Sequence, residues 1–556
     1  MRCLVYLVIV LILAAPAGAQ VRLPLAPTWT SQETSLYGTG LDLGDVDGDQ
    51  WLDLAVSNGN DIVAAPNLVY LNAEGTLPPA ASWVSSDHRY SGHCQLADLD
   101  GDGRPELMVA NYISAGWGFG QVQVYANVDG TLSPTPTWES PASFHSFRAS
   151  FGDPDQDGDL DLAVATGEAY HGYAEANLIF FNVDGVLQST PGWVSDVLDT
   201  CYDVEFVDID GDGDQDLAFL GGGYAGVVSV YFNEDGVLAT TPGWTTASPD
   251  NGNTFDFDDL DLDGRPDLLV GNNDQLGGSG RFAVYLTAGG VLPTVPTWTS
   301  AFSGYASAVV CADLDRDSQP DLVAGGWWEP VRVYLNRGGG AFAAEPDWQS
   351  DPGWASVVEN LALADLDARQ VADVTVTAPG GRRYVELDHR HLQSVDAVLV
   401  DGVALATDAY CYSLRDGWVS LGEAGLAGSE VRVEYRASPW LDLAVSNWDD
   451  ATYVFESPDP TAAPSLPPLA VSDLRAVPNP FNPLTSLRFT LTTEAAAADL
   501  RVYDVRGRLV AQLLDGPLAA GAHTVTWQPR DLASGVYLYR LVADGVATSG
   551  KVVLAR

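Results

Sequence analysis

The sequence predicts an all-β chain: a seven-bladed β-propeller, a small β module inserted into its last blade, and an Ig-like β-sandwich at the C-terminus. Three observations predict it. An acid-rich segment returns seven times at near-constant spacing, four β-type strings accompany each copy, and a Trp-bearing string starts one copy early.

The segment is first met as Asp45-Val-Asp-Gly-Asp-Gln-Trp-Leu-Asp53. It returns from Asp98, Asp153, Asp208, Asp259 and Asp313, with start-to-start steps of 53, 55, 55, 51 and 54 residues, and Asp365-Leu-Asp367 opens a seventh copy after 52 more. Self-similarity at this period marks a repeat architecture. Each copy has an apolar run before it (Leu41 to Gly44), one after it (Leu54 to Ser57) and a third further on (Leu68 to Asn72). The fourth string carries Trp29, Trp83, Trp138, Trp193, Trp244, Trp298 or Trp348. Four strands in about fifty residues make one propeller blade. Because Trp29 precedes the first acidic loop and nothing matching follows the seventh, the N-terminal string should supply the outermost strand of the last blade. That pairing leaves no open sheet edge.

The seventh copy is interrupted. Trp440-Leu-Asp-Leu-Ala-Val-Ser-Asn447 repeats Trp51 to Asn58 letter for letter, yet Asp367 and Asp442 stand 75 residues apart where intact copies have six. The expected cause is a β module at 368–437 inserted into the loop, with strings at Arg383 to Leu387, Ala397 to Val400, Trp418 to Leu421 and Val431 to Tyr435, and Thr452 to Glu456 as the blade's third strand. A competing assignment makes Asp373 to Thr377 and Arg383 to Asp388 the blade's own strands.

The flanks complete the domain plan: a signal peptide at 1–19, the propeller at 20–457, a Pro-rich linker at 458–473 and the sandwich at 474–556. Arg2, the apolar run Leu4 to Ala15 and Ala17-Gly18-Ala19 read as a secretory signal. Pro458, Pro460, Pro464, Pro467 and Pro468 read as an extended linker. The sandwich strings are Leu487 to Leu491, Leu500 to Asp504, His523 to Trp527, Val536 to Leu541 and Lys551 to Leu554. Cys94, Cys201, Cys311 and Cys411 are spaced for buried thiols rather than for a disulfide framework or a zinc site.

Seventy-five acidic against 26 basic residues give a formal charge of −49, which argues against nucleic acid and anionic membranes as partners. The acids are not scattered. Carboxylates at loop positions 1, 3, 5 and 9, with a backbone carbonyl at 7, supply the oxygen ligands a calcium ion takes. The candidate ligands are Asp45, Asp47, Asp49 and Asp53; Asp98, Asp100, Asp102 and Glu106; Asp153, Asp155, Asp157 and Asp161; Asp208, Asp210, Asp212 and Asp216; Asp259, Asp261, Asp263 and Asp267; Asp313, Asp315, Asp317 and Asp321. That makes about six Ca2+ sites. An EF-hand is excluded, because position 12 is apolar (Val56, Val109, Val164) and lies in a strand. Position 6 is Gly103, Gly158, Gly213 or Gly264, whereas Gln50 and Ser318 depart from glycine and should weaken the first and sixth loops. In the seventh loop, Asp365, Asp367 and Asp442 are able to meet, but the module replaces position 5.

With these D-x-D-x-D-G-x-x-D-L loops, residues 27 to 457 resemble the FG-GAP/VCBS repeat propellers, the architecture of integrin α-subunit heads. The resemblance implies an extracellular, calcium-stabilised propeller used for adhesion or ligand binding, with polysaccharide lyases as an enzymatic minority. The Phe-Gly signature itself is kept best at Phe151-Gly152. From about Leu474, Pro478-Asn-Pro-Phe-Asn-Pro483, Val502 to Arg508, Gly535-Val-Tyr-Leu-Tyr539 and Lys551-Val-Val-Leu resemble type IX secretion sorting domains and the flagellar hook-capping fold. That implies delivery to the surface or medium through secretion machinery.

If the acidic loops take one face of the ring, a protein or glycan ligand is expected on the other. Its connections carry His88, Arg89, Tyr90, His93, Tyr112, Trp117, Phe144, His145, Phe147, Arg148, Tyr170, His171, Tyr173, Tyr224, Asn272, Asn273, Trp327 and Trp328. Exposed aromatics suit sugar rings and protein hot spots. An enzymatic alternative, a polysaccharide lyase or hydrolase, nominates His93 or His145 as base and Arg89 or Arg148 as neutraliser. A purely structural surface component is the third possibility. The scatter of the seven histidines favours binding over catalysis.

Overall fold

The computed structural model describes residues 21–458 and 471–555, except 61–62, 113–119, 142–143, 169–171, 222–225, 248–249, 355, 369–370, 379–382, 423–428, 449–450, 492–494, 505–507, 520, 530–531 and 544–545. The expected signal peptide, most of the Pro-rich linker, and Trp117, Tyr170, His171 and Tyr224 lie outside the described residues. The chain separates into two compact units, Met1–Pro458 and Asp459–Arg556.

In the first unit each acidic loop joins an inner strand to a second, antiparallel strand: Gly38–Gly44 to Asp53–Asn58, Ser91–Ala97 to Glu106–Asn111, Ser146–Gly152 to Asp161–Thr166, Cys201–Val207 to Asp216–Gly221, Gly252–Asp258 to Asp267–Asn272, and Ala306–Ala312 to Asp321–Glu329. A third strand and a Trp-bearing fourth complete each sheet, as in Leu68–Tyr70 and Trp83–Val84. The first five second strands are buried throughout, because neighbouring sheets cover both their faces, and they read as apolar runs rather than alternating ones; the sixth is buried only as far as Trp327.

Ser356–Ala364 pairs with Asp442–Asn447, which pairs with Tyr453–Phe455, which pairs with Trp29–Thr30. Trp29 stands opposite Val454 and Thr30 opposite Tyr453. Ala372–Ala378, the competing choice of strand, instead pairs with Val431–Ala437. The inner strands touch in a cycle, each packing on the next from Gly38–Gly44 round to Ser356–Ala364, which packs back on Gly38–Gly44. Tryptophans stitch the sheets from outside. Trp29 Nε1 donates to Leu77 O (3.1 Å), Trp83 to Leu132 O (3.0 Å), Trp193 to Ala239 O (3.2 Å) and Trp244 to Leu292 O (3.0 Å). Trp348 donates to Leu23 O (3.2 Å), so the N-terminal segment is also the landing point of the sixth repeat.

Between Asp367 and Asp442 lie two small sheets, one of Ala372–Ala378, Val431–Ala437, Ser394–Val400 and Val403–Ala404, the other of Val385–Glu386, Trp418–Leu421 and Tyr410–Ser413. They enclose a core of Val385, Leu392, Val398, Val419, Val433 and Tyr435. The module lies over the acidic loops. Gln393 Nε2 donates to Gln50 O (3.4 Å), Arg383 bonds Gln156 O, and the backbone of Gly422 sits so close to the third loop that a Cβ there would be 2.0 Å from Asp157 O. Cys94, Cys201, Cys311 and Cys411 are buried free thiols, as their spacing implies.

The second unit pairs Val471–Val477, Thr485–Leu491 and Gly521–Trp527 in one sheet, and Leu509–Leu518, Ala495–Asp504, Gly535–Ala543 and Val546–Leu554 in another. Phe481, Leu487, Phe489, Leu500, Trp527 and Leu541 fill its core.

Candidate functional site

The acidic loops are organised by hydrogen bonds to their own carboxylates. The position-1 acid accepts from the position-6 N–H: Asp45 from Gln50 (2.8 Å), Asp98 from Gly103 (2.9 Å), Asp208 from Gly213 (3.0 Å), Asp259 from Gly264 (2.8 Å) and Asp313 from Ser318 (2.9 Å). The position-9 acid holds the loop to two strands at once. Asp53 accepts from Val46 N (2.8 Å) and from Asn72 N (2.7 Å), two residues past the third strand. Glu106, Asp216, Asp267 and Asp321 repeat that pair of bonds. Asp442 makes it too, to Leu366 N (3.0 Å) and Ser457 N (2.6 Å), although it follows Asp367 by 75 residues.

These bonds aim the carboxylates at a common point. One oxygen each from Asp45, Asp47 and Asp53 lies within 4.8 Å of the other two, and the same holds for Asp98, Asp100 and Glu106, for Asp153, Asp155 and Asp157, for Asp208, Asp210 and Asp216, and for Asp259, Asp261 and Asp263. Burial, reinforced by the neighbouring carboxylates, pushes Asp53 and Asp216 up to about 8, Glu106 and Asp267 up to about 7, and Asp161 up to about 10. Burial, with Asp367 and Asp365 beside it, also raises Asp442. Asp98 Oδ1, Asp155 Oδ1, Asp161 Oδ2 and Asp315 Oδ1 are buried with no hydrogen-bond partner. Convergent buried anions that lack protein donors are the environment a hard divalent cation satisfies, so the residues fit calcium. Position 6 has positive φ in glycine (Gly103 87°, Gly213 102°) and in the two departures (Gln50 75°, Ser318 68°), so Gln50 and Ser318 hold a left-handed conformation that disfavours side chains.

The chain matches the FG-GAP-like repeat over residues 45–109, 155–219, 208–270, 259–324 and 313–376. The chain belongs to the FG-GAP-like repeat family. In the second unit, residues 476–555 match the secretion system C-terminal sorting domain, so this FG-GAP-like protein is a secreted or cell-surface protein whose tail implies an encounter with type IX secretion machinery. A solved structure described as that of the Dos1 propeller is similar at 8% identity and a TM-score of 0.38, covering 74% of this chain and 94% of that one.

The nominated catalytic groups each have a protein partner, and His93 and Arg148 lie near enough for the charge of one to act on the other. His93 is not in a connection but in the inner strand Ser91–Ala97. There it is buried, with Nδ1 3.0 Å from Asn360 Nδ2, and burial together with the charges of Arg148 and Arg415 holds it well below its ordinary value. Arg148 is spent on Asp203 (2.8 Å), and Arg89 on Asp87 and Glu139 (both 3.3 Å). His145 Nδ1 lies 3.0 Å from Glu175 Oε1, and its ring stacks on Tyr173 at 5.1 Å. Tyr112, Phe144, Asn272 and Asn273 are buried. What reaches the face opposite the acidic loops includes Tyr173, 54% exposed, and an aromatic group around Trp328, which is 57% exposed and sits at φ 58°. Trp328 meets Tyr305 (5.8 Å) and Trp327 (6.1 Å) edge-on, and Trp327 meets Trp448 at 5.6 Å. The segment is stiffened because Trp327 and Glu329 also pair with Val357 and Ser356 of the next sheet.

The sequence did not reveal the contents of the ring's centre. Arg390 and Arg415 of the inserted module enter among Asp42, Asp203, Glu205, Asp256 and Asp258 of the inner strands. Burial raises Asp42 and Asp258 to about 6, against the pull of Arg415 and Arg390 respectively. Burial also acts on Asp416, but Arg415 and Arg390 outweigh it and hold that carboxyl well below the usual range.

Proposed function

We propose that the chain is an exported seven-bladed propeller, stabilised by about six calcium ions, that binds a carbohydrate ligand on the face opposite its acidic loops. The cycle of contacts among seven inner strands supports the blade number, and the pairing of Trp29–Thr30 with Tyr453–Phe455 supports its closure from the N-terminus. Calcium in this reading is scaffold. It neutralises carboxylates that tie strands one, two and three of each blade together, and the inserted module covers that face.

The observation that carries the binding assignment is Trp328. A bulky residue in the left-handed region is strained, and strain of this kind collects at ligand sites. Here it projects a large aromatic face into solvent from a doubly paired strand, with Tyr305 and Trp327 bracing its edges. An exposed, rigid aromatic face is suited to stacking on the apolar face of a sugar ring. Glycan-array binding by the full chain in calcium is the test. Retention of a glycan class by the wild type, lost in Trp328→Ala at unchanged melting temperature, is expected; no retained glycan, or full retention by the variant, overturns the assignment.

A further inference from the structure

Two residues past the third strand of each repeat stands a residue whose backbone N–H donates to the position-9 acid of its own loop, as Asn72 does to Asp53. In five repeats it is an asparagine, at most 3% exposed, and its side chain reaches back to the acidic loop of the preceding repeat. There Nδ2 donates to the position-2 carbonyl: Asn72 to Leu366 O (2.7 Å), Asn127 to Val46 O (2.8 Å), Asn182 to Leu99 O (2.9 Å), Asn233 to Pro154 O (2.6 Å) and Asn336 to Leu260 O (2.7 Å). The backbone N–H groups of the last four are on Glu106, Asp161, Asp216 and Asp321. Each asparagine therefore ties two successive loops together from a buried position.

The relay is interrupted at the fifth repeat. Thr287 keeps the N–H bond to Asp267 (2.6 Å), but its one hydroxyl proton goes to Pro266 O of its own loop (2.8 Å) and not to the fourth loop. Ser457 of the seventh repeat likewise gives its hydroxyl proton to Leu441 O (2.6 Å) of its own loop. The fourth and fifth loops still meet through Arg265 Nη1 and Asp210 O, but that bond is exposed. A hydrogen bond open to water holds its two ends less firmly than a buried one. The loops thus fall into two groups. Asn127, Asn182 and Asn233 join the first to the fourth, and Asn336 joins the fifth to the sixth.

We propose that these asparagines are positioning residues that couple calcium binding between adjacent loops, so that the first four sites fill as one cooperative set and the fifth and sixth as another. The proposal rests on the calcium scaffold described above. Position 2 lies in the chain between the carboxylates of positions 1 and 3, so a loop with those carboxylates gathered holds its position-2 carbonyl still. The asparagine amide carries that restraint to the position-9 acid of the next loop. Ordering already accomplished in one loop lowers the cost of ordering its neighbour, which is positive coupling between their sites.

The test is calcium titration of the full chain against a chromophoric chelator, with the melting temperature in saturating calcium as the control for folding. The wild type should fill in two phases, a set of four and a set of two, the larger with a Hill coefficient above ~1.5. Asn182→Thr, which offers a hydroxyl as Thr287 does, should divide the set of four and lower that coefficient. Thr287→Asn should bring the fifth and sixth sites into the first phase, a gain that a merely structural role does not predict. Sites that fill independently in the wild type, or unchanged steepness in either folded variant, overturn the proposal and leave the calcium scaffold standing. Absence of bound calcium removes the scaffold and the proposal together.

Discussion

Arg390 of the inserted module places its Nη2 2.9 Å from Asp256 Oδ1 on the fifth inner strand and 3.2 Å from Asp416 Oδ1 within the module. One guanidinium thus joins an insertion to the ring it interrupts. Its Nη1 also lies 3.5 Å from Asp258 Oδ2, and the side chain is only 14% exposed. Removing one member of a buried ion pair strands its partners without a counter-charge. Arg390→Ala should therefore cost about 3–5 kcal/mol in chemical denaturation of the full chain. Arg432→Ala, whose partner Glu434 is solvent-facing, should cost under ~1 kcal/mol.

Calcium should act on stability through mass action, since only the folded loops gather the carboxylates. Chelation is expected to lower the melting temperature by many degrees, and calcium titration should return about six sites. Asp216→Asn, which removes the charge and leaves one oxygen where two now accept from Ile209 N and Asn233 N, should lower that stoichiometry by one. An unchanged melting temperature in chelator would remove calcium from the account.

Gln50 and Ser318 occupy the left-handed position that glycine fills in other loops. Gln50→Gly and Ser318→Gly relieve a backbone cost of about 1–2 kcal/mol, less the unfolded-state entropy of glycine, ~0.5–1 kcal/mol. Each should raise stability by roughly 0.5–1 kcal/mol in thermal unfolding. A loss of stability would mean that these side chains contribute contacts that outweigh their strain.

His391 Nε2 lies 2.8 Å from Cys311 O, the geometry of a neutral ring donating its proton. Burial, with Arg390 beside it and opposed by the Cys311 carbonyl, Asp256 and Asp416, lowers it to about 4. A histidine with a depressed folded value contributes nothing to the pH dependence above its unfolded value of about 6.5, and costs stability as pH falls from there towards 4. His391→Gln keeps a donor and cannot titrate. Its stability should fall less steeply than the wild type between pH 6.5 and 4, by up to ~3 kcal/mol, measured as denaturation midpoints across that range.

What was readable in the sequence was what recurs. Acids at fixed offsets mark the loops, and the letter-for-letter return of Trp51 to Asn58 at Trp440 to Asn447 identifies the far half of a split loop. Trp29 signalled its pairing with Val454 because a periodic series began one member early. Features that occur once had no such signal. His93 reads as a loop residue until the strand that carries it, Ser91–Ala97, is seen to pair with Glu106–Asn111 of the same repeat. The entry of Arg390 and Arg415 into the ring depends on how the inserted module docks, and neither spacing nor composition encodes that. Trp327 and Trp328 were legible as aromatics but not as unequal ones; the bridge to Val357 and Ser356 buries the first and turns the second outward.

The split loop has a wider meaning for how such a chain can be altered. Leu366 N and Ser457 N still close on Asp442, so some seventy residues entered at this point without disturbing the bonds that hold three strands in register. What the loop requires is that its two ends be delivered to the same place, not that they be neighbours in the chain. Five of the other six loops present the same pair of ends; the third has Pro154 where the N–H donor stands, so Asp161 keeps only the bond from Asn182 N (2.7 Å). They form a set of equivalent sockets into which a foreign domain with closely spaced termini could be spliced while the ring stays shut.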